Sequence, residues 1–142
     1  MKNWFKQNLK SILLSLALSL APMLIGLLLL NQLPESSITH WGIDGVADGI
    51  SSKAFTVFVL PAILTGVNLL CLIITPLDPR MQDQNKKAKN LIFWIIPIIS
   101  FTACSIFYAI AMGKTMNLPL LLTLMIGILF LIMGNYMPKV KQ

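Results

Sequence analysis

Four stretches of this chain, residues 12–30, 54–77, 91–112 and 118–137, contain no Lys, Arg, Asp, Glu or His. A helix needs roughly 20 residues at about 1.5 Å rise each to cross a hydrocarbon core, and every stretch meets or approaches that length. A helix on the surface of a soluble domain would show a polar stripe at i, i+3, i+4 and i+7, whereas these runs are apolar all round. Apolar and polar residues do not alternate along them, so a transmembrane β-barrel is excluded. The pattern predicts an all-α membrane protein: one domain over residues 1–142, with four transmembrane helices at about 12–30, 54–77, 91–112 and 118–137. Between them lie a long polar loop at 31–53 and a second at 78–90. The first run follows Lys2, Lys6 and Lys10 much as a signal peptide would. However, it spans 19 residues and leads into Asn31-Gln32-Leu33-Pro34-Glu35. A signal peptide has an apolar region of about 7–15 residues and a small-residue cleavage site, so a retained helix is expected.

Composition agrees with the pattern. Apolar residues make up 56% of 142 positions, charged residues 11%, and the mean hydropathy is +0.80; soluble domains carry about a quarter charged residues. The net charge of +6 matters through its placement. Lys2, Lys6, Lys10, Arg80, Lys86, Lys87, Lys89, Lys139 and Lys141 fall in the two termini and the second connection. Of the 11 basic residues only Lys53 and Lys114 fall in the first and third connections. Basic residues concentrate on the cytoplasmic side, and anionic inner-leaflet lipids favour the same placement. Both termini and the 78–90 loop are therefore expected in the cytoplasm, with loop 31–53 on the outer face. The two cysteines, Cys71 and Cys104, sit inside apolar runs and read as small hydrophobes rather than a disulfide or metal framework.

Within the membrane runs the chemistry is sparse. Pro22, Pro61, Pro97 and Pro119 fall one to each run, with Pro76 also at the end of the second. Pro119 falls in a first turn, where a missing N–H is harmless, while Pro22, Pro61 and Pro97 are expected to kink their helices unless neighbours satisfy the freed carbonyls. Ser15, Ser19, Pro22 and Gly26 share one face of the first helix, a small-residue seam suited to close packing. No ionisable residue lies at membrane depth, where proton relays and ion-coupled transporters place them. Asn68 is the one strongly polar side chain near a helix middle and is expected to make an interhelical hydrogen bond, with a substrate contact as the alternative.

Residues 31–53, NQLPESSITHWGIDGVADGISSK, concentrate the distinctive side chains. Leu33, Ile38, Trp41, Ile43, Val46 and Ile50 are too apolar for a disordered linker. Gly42, Gly45 and Gly49 permit positive φ, and Asp44-Gly45 and Asp48-Gly49 are turn-forming pairs. An ordered cap is expected, with Trp41 at headgroup level. The DGVADG stretch fails as an EF-hand loop, because position 3 counted from Asp44 is Val46 and position 12 is Phe55. No metal or other cofactor is expected, a zinc site on His40 being the alternative. Ser36, Ser37, Ser51 and Ser52 have no Asp-paired histidine identifiable from spacing, so no catalytic triad is read and the protein is not expected to be an enzyme.

Leu33-Pro34, Ile38-Thr39-His40-Trp41-Gly42, Gly45, Asp48-Gly49 and Ser52-Lys53 resemble the loop signature of the SdpI family of bacterial membrane immunity proteins, with Thr39 standing near the family's usual second proline. Gly134-Asn135-Tyr136-Met137-Pro138-Lys139-Val140-Lys141-Gln142 resembles the segment that follows the family's fourth helix. Members usually continue into a further motif and more helices, so the resemblance implies either an N-terminal part of a longer protein or a shorter relative. It implies protection of a Gram-positive bacterium, at its plasma membrane, from a secreted membrane-active toxic peptide. The implied functional loop is His40, Trp41, Gly42, Asp44, Gly45, Asp48, Gly49, Ser52 and Lys53, with Gly134, Asn135, Pro138 and Lys139 as a cytoplasmic motif. The partners so implied are membrane lipids, the peptide and, in some members, a transcriptional repressor at the cytoplasmic face, without direct nucleic-acid contact. A small transporter or exporter subunit and a structural accessory membrane protein are the alternatives.

Overall fold

The computed structural model describes residues 2–42, 44–77 and 86–136; Pro138 and Lys139 of the C-terminal motif lie outside them. The apolar runs form helices α1 (Lys2–Leu28), α2 (Leu60–Ile74), α3 (Lys86–Ala111) and α4 (Leu118–Tyr136). A π-helical turn, Phe55–Val59, leads into α2, and a 3-10 turn, Thr75–Leu77, ends it. Among the described residues four helices are long and apolar enough to cross a membrane, the pattern of a multi-pass membrane protein. Helices α1 and α3 start well before their apolar runs, because Lys, Gln and Ala are good helix formers and nothing obliges a helix to stop at the edge of hydrocarbon.

Local chemistry fixes the other helix ends. α3 closes with Gly113 at φ 84°, the Lys114 N–H donating to Ala109 O at 3.0 Å and the Gly113 N–H to Ile110 O at 2.9 Å, the paired hydrogen bonds of a Schellman cap. Asn117 caps α4 by accepting the Leu120 N–H on Oδ1 at 3.1 Å, and Pro119 sits in that first turn as expected. The wide π turn before Pro61 lets α2 restart with the proline in its first turn. Pro22 and Pro97 stay inside α1 and α3, and both are fully buried.

The seam on α1 is the packing surface of the bundle. Ser15, Ser19, Pro22 and Gly26 are all buried. Asn68 of α2 donates both amide N–H groups across the interface, to Ser15 Oγ at 2.9 Å and Ser19 Oγ at 2.8 Å. Ser19 passes its own proton to Ser15 O at 3.0 Å. From α3, Ser100 donates to Ser19 O at 3.1 Å and the Tyr108 hydroxyl to Pro22 O at 3.0 Å. A Cβ on Gly26 would lie 2.7 Å from the Tyr108 hydroxyl oxygen and 2.9 Å from Val57 Cγ1, so only glycine admits this approach. These pairings run α1 antiparallel to α2 and parallel to α3.

Apolar clusters flank this polar layer on both sides. Towards the chain start, Trp4, Ile12, Leu72 and Phe93 pack together, with Trp4 stacked on Phe93 at a centroid distance of 5.8 Å. Towards the other end, Leu33, Val57, Cys104 and Tyr108 do the same. α4 stands outside this arrangement: 6% of its span is buried, against 22% to 28% for the other three.

The all-α expectation needs correction between α1 and α2. Ser36–Trp41 (β1) and Ala47–Ser52 (β2) pair as an antiparallel hairpin. Its apolar root is Leu33, buried in the second cluster. Glu35 and Lys53 close its base twice: the Lys53 N–H donates to Glu35 O at 2.8 Å, and Lys53 Nζ reaches Glu35 Oε1 at 2.9 Å.

In bilayers, removing the Asn68 amide is expected to cost about 1–2 kcal/mol, the range of membrane interhelical hydrogen bonds. Overpacking the seam with Gly26→Val should cost about 1–3 kcal/mol. Unfolding free energies of Asn68→Ala, Gly26→Val and the exposed Leu24→Ala, measured by steric trapping, check this. Equal stability of all three would show that the seam does not hold the bundle.

Candidate functional site

Most of the residues singled out in the sequence converge on the hairpin, but they divide by role. Ser52 and Lys53 belong to its base. Ser52 Oγ accepts the Phe55 N–H at 3.2 Å and Ser52 O accepts the Thr56 hydroxyl at 3.3 Å, so Ser52 launches the second membrane helix. Lys53 is spent on Glu35. These two residues build the site without lining it.

The tip turns at Gly42–Gly45, where the Gly45 N–H donates to Gly42 O at 2.9 Å and the Gly42 N–H to Val46 O at 2.8 Å. Gly45 has φ 78°, the left-handed residue that commonly follows a tight hairpin turn. Asp44 Oδ1 braces the turn by accepting the Val46 N–H at 3.1 Å. Asp48-Gly49, expected to form a second turn, instead lies within β2. Gly45 and Gly113 are the positive-φ glycines of the described residues, so Gly42 and Gly49 are not needed for left-handed backbone. Space is the reason at Gly49, where a Cβ would lie 2.6 Å from His40 Cβ; one on Gly42 would meet only the Asp44 and Asp48 carboxylates, at 2.6 and 3.3 Å, exposed side-chain ends that can move aside.

The register shifts on either side of His40 are bulges, which re-aim side chains. His40 Nδ1 donates to Asp48 Oδ1 at 2.5 Å, both side chains being more than half exposed. The sequence spacing had not revealed this pair. No hydroxyl among the described residues is hydrogen bonded to the other His40 nitrogen; Thr39 and Ser51 bond each other at 2.6 Å. No three His, Cys, Asp or Glu side chains among the described residues are grouped to hold a metal ion.

Trp41 points the other way, onto Phe107 of α3, with ring centroids 6.0 Å apart. It thereby borders two clefts. One, of about 840 Å³, lies between Ile38, Trp41, Asp44 and Gly45 of the hairpin and Ile110, Lys114, Thr115, Met116, Asn117, Leu118 and Pro119 of the α3–α4 connection. The other, of about 390 Å³, is lined by Thr39, His40, Trp41 and Gly42 against Phe107, Leu118, Pro119, Leu122 and Thr123. Apolar walls with a few polar groups at the rim are the usual form of a ligand site. In the larger cleft Asp44 of the hairpin and Lys114 of the α3–α4 connection are the charged residues of the lining. The wall supplied by Phe107 and residues 114–119 was missed in the sequence. Its one signal was Lys114, a lone basic residue in a connection otherwise without charge.

Asn68, Gly134 and Asn135 lie away from these clefts. Asn68 is engaged in the helix seam, where it makes the expected interhelical bonds. Gly134 and Asn135 are exposed near the end of α4.

A family described as a domain of unknown function (DUF1648) matches residues 17–65, which run from the seam of α1 through the hairpin into the start of α2. No curated protein matches the chain, and no solved structure matches it.

Gly49→Ala should force the strands apart and raise amide hydrogen exchange across β1 and β2 about tenfold or more, by the cost of overpacking. His40→Ala removes only an exposed pair, worth about 0–1 kcal/mol, and should raise exchange less than about fivefold. Comparable exchange in both variants would contradict the close-approach role of Gly49.

Proposed function

We propose that the chain is an immunity protein that protects a bacterium from a secreted, membrane-active toxic peptide, captured in the clefts beside Trp41. The carrying observation is that Trp41, seated on Phe107, borders two clefts in a hairpin that also exposes Ile50 and Val46 at 74% and 61%. Large aromatic anchors beside apolar pockets dominate peptide binding energy. The exposed aliphatic residues suit an amphipathic partner at the headgroup level, and the Asp44 and Asp48 carboxylates suit a cationic one. The likeness of the loop and of residues 134–142 to the SdpI family supports the same reading.

The distribution of Lys and Arg supports an orientation with both termini in the cytoplasm and the hairpin on the outer face of a Gram-positive plasma membrane. In that orientation the cleft meets a secreted peptide before the peptide enters hydrocarbon. In a background free of Cys71 and Cys104, a cysteine at Ser36 should react with a membrane-impermeant maleimide on intact cells. One at Gln84 should react only after lysis. The opposite pattern would place the hairpin inside and end the proposal.

The functional test uses a sensitive bacterium expressing this chain and challenged with the toxic peptide. Trp41→Ala should weaken peptide binding by about 2 kcal/mol, roughly thirtyfold, and reduce survival at unchanged membrane abundance. Asp48→Asn should act in the same direction more weakly. Leu28→Ala, on a side chain 82% exposed away from the clefts, should change neither survival nor abundance. Full protection by the Trp41 variant at normal abundance would refute capture at this site.

A further inference from the structure

The opening turns of α1 carry a second surface that the hairpin and clefts do not use. α1 has 27 residues, about 40 Å at 1.5 Å per residue, whereas a hydrocarbon core is about 30 Å thick. The surplus is the stretch that bears the lysines. It does not splay from the bundle: Trp4 is buried and stacked on Phe93, and Asn8 Nδ2 donates to Trp4 O at 2.8 Å. Lys6 and Lys10, one turn apart, are both exposed. They lie on the same stripe as Leu9, Leu13 and Leu24, which are 53%, 58% and 64% exposed, and opposite the buried seam. Neither ion pair among the described residues involves them, and the described acidic residues Glu35, Asp44 and Asp48 stand at the other end of the bundle, in and beside the hairpin.

We infer that Lys6 and Lys10 form a binding surface for the headgroup of an anionic phospholipid. The lysines run directly into the lipid-facing leucines, so a molecule whose phosphate meets Lys6 and Lys10 must have an apolar chain beneath it, against Leu9 and Leu13. That combination describes a phospholipid and not a nucleic acid or an acidic peptide. The long lysine stems lie along the acyl chains while their ammonium groups reach the phosphate plane. Each lysine close to an anionic surface contributes about fivefold in binding. The surface is independent of the proposed capture of a toxic peptide.

The test measures apparent affinities of the purified full chain for phosphatidylglycerol and phosphatidylcholine by native mass spectrometry. The parent should prefer phosphatidylglycerol. Lys6→Gln should lower that affinity about fivefold and the Lys6→Gln/Lys10→Gln double variant about thirtyfold, with phosphatidylcholine binding and helix content unchanged. The Lys6→Arg/Lys10→Arg variant should keep the parent's preference. An unchanged preference in the double glutamine variant would overturn the inference, as would an equal loss in the arginine variant. Displacement of the lipid by inorganic phosphate, beyond the effect of chloride at the same ionic strength, would assign the lysines to a free anion instead.

Discussion

The fold depends on the contact between Asn68 and the serine seam of α1. In a bilayer, apolar helices gain little by burying leucine against leucine, because lipid tails are equally apolar. Close approach and interhelical hydrogen bonds must therefore select the arrangement. Ser15, Ser19, Pro22 and Gly26 supply close approach, and Asn68, Ser100 and Tyr108 supply the bonds. Each bond contributes only about 1 kcal/mol, but all fall on one stripe of one helix, and their sequence spacing sets helix direction and register at once. Gly26 transmits that register to the hairpin end, since Tyr108 and Val57 close over it and pack with Leu33, the hairpin's root.

From this frame the site follows in order. The root at Leu33 and the Glu35–Lys53 latch fix where β1 starts, and Ser52 fixes where β2 hands over to the next helix. The bulges about His40 turn His40 and Asp48 to solvent while Trp41 reaches Phe107. The Schellman cap at Gly113 and the Asn117 cap then bring the start of α4 opposite Trp41. The clefts thus arise where a hairpin and a capped connection face each other, each held by its own helices.

Much of the frame was legible in the sequence, for a physical reason: uninterrupted apolar runs have few alternatives to a membrane helix. The seam and the Asn68 bond were legible too, because residues at i, i+4 and i+7 must share a helix face. The hairpin was not. Ala47-Asp48-Gly49-Ile50-Ser51-Ser52 has the composition of a turn, with poor strand formers, and it pairs because its ends are clamped by Lys53 and by the Gly42–Gly45 turn. The His40–Asp48 pair depended on that pairing, and the cleft wall at Phe107 and Leu118 depended on tertiary packing that no local pattern encodes.

The central claim is that the Asn68 seam seats the hairpin over the α3–α4 connection. The most direct measurement is the spin-label distance distribution between cysteines at Ile50 and Thr123, in lipid nanodiscs and in a background without Cys71 and Cys104. A single narrow distribution in the parent that broadens with Asn68→Leu is the predicted result. A broad distribution in the parent, or one unchanged by Asn68→Leu, would contradict the account.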